Sequence, residues 1–76
     1  MLLRTATKAK LELSVRILAM EFEAVPHALI ASEIEATAAR LLEHARFDDY
    51  VPILTHRRVR DRLRDPAVAS ALADAA

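Results

Sequence analysis

The chain predicts an all-α fold, a compact antiparallel three-helix bundle that dimerises and ends in a short alanine-rich tail. Three observations point there. Apolar residues make up 54% of the 76 positions but aromatic ones only 4%, so Ala and Leu, both strong helix formers, dominate the apolar content. There is no Gly, and the only helix breakers are Pro26, Pro52 and Pro66. The apolar residues recur at three- and four-residue spacing, as on a helix face, and not in the alternation of a strand.

The first helix starts at Thr5 or Thr7, either of which can cap it, and runs to about Glu23, because Val25 precedes Pro26 and is pushed out of helical geometry. It carries two apolar stripes. Leu11, Val15, Leu18 and Phe22 form one, and Leu13, Ile17 and Met20 form another on nearly the opposite side. Either the helix is buried between its own neighbours, or one stripe faces a partner. The Leu11, Val15, Leu18 and Phe22 stripe is the expected dimer interface.

The second helix runs from Pro26 or His27 to about Arg46, with Ile30, Ile34, Ala38, Leu41 and Ala45 along one stripe. After the connection Phe47-Asp48, Asp49 is placed to cap a third helix. Pro52 falls in its first turn, where a missing N–H costs little, and Pro66 ends it. Its apolar residues divide, with Tyr50, Val51 and Leu54 on one side and Val59 and Leu63 on another. Ile30, Ile34, Leu41, Leu54 and Leu63 should close the core, with the Tyr50 ring buried beside them. Residues 1–66 form the bundle. The remainder, 67–76, has Asp74 as its single charge and no strong cap, so it is expected as a short helix or frayed tail, loosely held.

A chain this short buries roughly 60% of the surface its unfolded form exposes, which leaves stability marginal. Without Cys it has neither disulfides nor thiolate metal sites to help, so a second protein surface is the natural support. That favours a homodimer, with a heterotypic protein partner as the other way to cover the exposed stripe.

The same composition excludes most chemistry. Phosphate loops need Gly, and Ser14, Ser32 and Ser70 sit in no nucleophile elbow. His27, His44 and His56 each lack a second His or Cys one turn away, so neither a metal nor another cofactor is expected, and no catalytic site. No segment approaches the roughly 20 apolar residues of a membrane span, and Arg4 interrupts the start before any run of signal-peptide length. The expected address is cytoplasmic.

Eleven basic and eleven acidic residues cancel, but they are unevenly spread. Arg57, Arg58, Arg60, Arg62 and Arg64 crowd the third helix, whereas Glu21, Glu23, Glu33 and Glu35 are the only charges between Ile17 and Ala39. An arginine-rich helix binding nucleic acid is the alternative function. The neutral total, and arginines that encircle the helix where a phosphate footprint would line one face, disfavour it. Ion pairing of Arg58 and Arg60 with those carboxylates is the expected role.

The segment Ala45 to Leu63, ARFDDYVPILTHRRVRDRL, resembles the C-terminal signature of the actinobacterial three-helix bundle dimerization domain family. The resemblance aligns Tyr50, Val51, Pro52, Leu54 and Leu63 with that family's core positions, and Arg58 and Arg60 with its basic ones. It implies a small non-catalytic dimerisation or protein-interaction domain. This sequence departs from the pattern at Thr55, where Val is usual, and lacks the proline after Phe22.

Overall fold

The computed structural model describes residues 5–44 and 50–74. Among them are four helices and no strand: α1 Thr5–Glu21, α2 His27–His44, α3 Val51–Arg64 and α4 Pro66–Asp74. The expected all-helical class holds, with one helix more than the three expected. Successive helices α1, α2 and α3 all pack on one another, and α4 packs on α3.

The breaks follow from proline. α1 ends at Glu21, two residues before the expected Glu23, and Phe22 adds a last helical bond from its N–H to the Leu18 carbonyl (2.8 Å). Val25 then turns, its N–H on the Phe22 carbonyl (3.1 Å), and buries its side chain under the turn. The Pro26 carbonyl accepts from the N–H groups of Leu29 and Ile30, so Pro26 serves as the cap residue of α2. In α3, Tyr50 takes the capping position with no side-chain hydrogen bond, and Pro52 lies in the first turn as expected. The expected cap Asp49, and the expected end of α2 at Arg46, lie outside the described residues.

Of the two forms expected beyond Pro66, the short helix is the one present: α4 spans Pro66–Asp74. Asp65 adopts an extended conformation before Pro66 (φ −72°, ψ 117°), which stops α3. Its Oδ1 accepts from the Ala67 N–H (3.0 Å), its carbonyl accepts from the Ala69 N–H (2.9 Å), and Pro66 occupies the first helical position. This Asp-Pro start is the cap that the sequence reading missed. Ala69 and Leu72 of α4 are half-buried against the core, though no residue of α4 is fully buried.

The core is one cluster. Leu11, Val15 and Leu18 from α1 meet Ile30, Ile34 and Ala38 from α2 and Val51, Val59 and Leu63 from α3, closed by Val25. One polar group is stranded in it: Thr55 is fully buried and its hydroxyl has no hydrogen-bond partner among the described residues.

Two measurements follow. Replacing Thr55 with Val keeps the shape and removes a desolvated hydroxyl, so Thr55→Val should raise the unfolding free energy by about 1 kcal/mol, read as a higher denaturant midpoint at unchanged slope. Asp65→Ala should cost about 1 kcal/mol of local stability. In hydrogen exchange, the α4 amides should lose protection while those of α1 to α3 keep theirs.

Candidate interaction surface

Once α1 packs inward through Leu18, its two apolar stripes separate. Leu18 is wholly buried, Leu11 and Val15 nearly so, and Phe22 is half-buried against the same core. This corrects the expected interface: Leu18 and Phe22 serve the chain's own interior and are not free for a partner. The other stripe is the exposed one, with Leu13 at 47%, Ile17 at 45% and Met20 at 78%.

The motif residues of α3 divide in the same way. Val51, Pro52 and Leu63 are buried as expected, but Tyr50 is 70% exposed and Leu54 39%, so neither belongs to the core. The reason is helical phase. The inward line runs Val51, Thr55, Val59 at four-residue steps, and a residue one position earlier, such as Tyr50 or Leu54, is rotated by roughly 100° away from it. In α2, Leu41 is half-buried beside Ile30 and Ile34.

Two surfaces result, one on each flank of α1. Towards α3, Leu13, Ile17, Pro52 and Ile53 line a shallow apolar depression of about 340 Å³, rimmed by Lys10 and Arg57. Towards α2, Leu11, Val15, Ile34 and Leu42 wall an open groove of about 1000 Å³. Leu11 and Val15, two of the four expected interface residues, line this groove but are themselves buried in the chain's own core.

Polar contacts hold α3 in place between these surfaces. Arg60 donates from Nε (3.1 Å) and a terminal nitrogen (3.0 Å) to Glu21 Oε1, which Arg64 also approaches at 4.0 Å. Arg62 meets Glu33 at 2.8 Å. The expected pairing thus forms for Arg60, whereas Arg58 has no ion pair among the described residues. These pairs are substantially exposed, and exposed pairs contribute at most about 1 kcal/mol each.

His56 and Ser14, read from sequence as unremarkable, share a hydrogen bond of 3.1 Å between Nδ1 and Oγ. A signal for Ser14 was present: Thr7, Leu11, Ser14 and Leu18 follow the four-three-four spacing of one inward line, and all four are buried. Nothing in the sequence paired it with His56 on another helix. Among the described residues no group of His, Asp and Glu is arranged to hold a metal ion, and no helix is long and apolar enough to cross a membrane.

Residues 9–67 match the DUF3562 family, described as proteins of unknown function. The chain belongs to this family. The DUF3562 match takes in α1 from Ala9, all of α2 and α3, and the first two residues of α4, so both flanking surfaces of α1 lie almost wholly within it. No curated protein and no solved structure matches the chain.

Proposed function

We propose that this chain is a small non-catalytic helical domain whose work is association with protein, first of all with a second copy of itself. The supporting observation is that α1 carries uncovered apolar surface on both flanks after the chain's own core is complete. Leu13, Ile17 and Ile53 stay exposed along the α1–α3 depression, Met20 and Tyr50 are exposed as well, and the α1–α2 groove stays open. Apolar surface of this extent on so small a chain is the mark of an interaction site. The resemblance of residues 45–63 to the three-helix bundle dimerization domains adds to this reading. A heterotypic protein partner is its second form, favoured by the presence of two separate surfaces, since one can self-associate while the other engages a different protein.

Nucleic-acid binding through the arginine helix draws less support. Arg60 and Arg62 are already bonded to Glu21 and Glu33, which leaves Arg57 and Arg58 as its free cations among the described residues of that helix run.

Sedimentation equilibrium across a wide concentration range, with denaturation at two of those concentrations, tests the proposal. The expected result is a dimer mass and a midpoint that rises with protein concentration, because binding to the folded state alone stabilises it by mass action. A stable monomer at every concentration would sink it.

A further inference from the structure

The groove between α1 and α2 has charged rims, and their pattern carries information about its occupant. On the α1 rim stand Lys8 and Arg16, eight residues apart, with Glu12 midway between them; on the α2 rim stand Glu43 and Glu35, also eight residues apart, with Ala39 midway. Eight residues span about 12 Å in either helix. Because α1 and α2 run in opposite directions, moving from Lys8 to Arg16 along one rim is matched by moving from Glu43 to Glu35 along the other. All four side chains are exposed, and none has an ion pair or hydrogen bond among the described residues. The groove thus presents a basic pair on one rim, with Glu12 between its members, and an acidic pair on the other in equal steps; between the rims Ala9 and Ala39 are exposed and Ala31 and Leu42 half-exposed, above the buried Leu11, Val15 and Ile34.

A helical hairpin with that pattern is complementary to a copy of itself in one orientation. A two-fold axis parallel to the helices lays α1 of one chain over α2 of the other and keeps the levels matched, so Lys8 meets Glu43 and Arg16 meets Glu35, each twice. A two-fold axis across the helices stacks α1 on α1 and α2 on α2, which opposes Lys8 to Arg16 and Glu35 to Glu43. Like charges brought together in this way are costly and select against that arrangement.

We propose that the α1–α2 groove is where a second copy of this chain docks, groove to groove, about a two-fold axis parallel to the helices. The register is set by Lys8 on Glu43 and Arg16 on Glu35 of the other copy. Ala9, Ala31, Ala39 and Leu42 of both chains, the apolar lining that keeps exposure, then face each other as the middle of a four-helix layer, the arrangement in which antiparallel hairpins bury their open faces. The inference rests on the reading of the chain as a self-associating domain and adds which face associates and in which orientation.

The test is partner sorting. A chain carrying Lys8→Glu, Arg16→Glu, Glu35→Lys and Glu43→Lys keeps its net charge, and with Glu12→Gln in both the swapped and the unswapped chain the exchange sets no like charges side by side along α1. In the proposed dimer it pairs with itself as the original chain does, but a mixed dimer sets Glu on Glu and Lys on Lys. Native mass spectrometry of an equilibrated equimolar mixture should show both homodimers, with the mixed dimer depleted at least about tenfold below its statistical share. A statistical mixture overturns the inference and points to the α1–α3 depression, which the swap does not touch. An excess of mixed dimer overturns it in favour of α1 stacked on α1.

If the swapped chain does not fold, the original protein serves. Zero-length carbodiimide cross-linking of a mixture of isotope-labelled and unlabelled chains should join Lys8 of one chain to Glu43 of another, and intermolecular links that avoid this pair overturn the register. Failure of the original chain to self-associate is a different result. It ends the proposed function itself, whereas a dimer that sorts wrongly ends only the groove.

Discussion

Leu18 sits with no exposure in the cluster that α1, α2 and α3 share, and its position dictates the rest of α1. Turning each residue by roughly 100° from that fixed point sends Leu13, Ile17 and Met20 outward and carries Ser14 to the side of α3 and Val15 to the side of α2. Here the core has three helices and a short fourth that buries no residue completely, so both flanks of α1 remain apolar and open.

The charges divide by task. Those facing α3 are spent within the chain: Arg60 on Glu21 and Arg62 on Glu33 fasten α3 to α1 on one side and to α2 on the other, with the Ser14–His56 bond between α1 and α3 beside them. Such bonds add little to stability but restrict how α3 can rotate and slide. Lys8, Arg16, Glu35 and Glu43 on the rims of the α1–α2 groove have no such partner among the described residues.

Much of the fold could be read from residue order because proline and helical spacing are local signals. Pro26 and Pro66 marked the breaks, Ile30, Ile34, Ala38 and Leu63 were placed inward from spacing, and Val51 from the family resemblance. The failures were of two kinds. Asp65-Pro66 is also a local signal, but the tail was judged on its alanine content and not on the cap that precedes it. Leu18, Tyr50 and Leu54 failed for a different reason. An amphipathic pattern says that a helix has an apolar side, but which of two candidate sides turns inward depends on the neighbours. Tyr50 and Leu54 read as core because they are apolar and lie near Val51, yet the inward line of α3 passes through Thr55, a residue no hydropathy pattern would have chosen.

Thr55 has a consequence for how the domain responds to concentration. A buried hydroxyl with nothing to bond lowers the stability of the single chain by an amount of order 1 kcal/mol, roughly a fivefold change in the ratio of folded to unfolded molecules. A small chain handicapped in this way has little reserve of its own. Under the self-association proposed above, the misplaced hydroxyl would make the domain sensitive to its own abundance: scarce chains would open and be exposed to degradation, while abundant ones would protect each other.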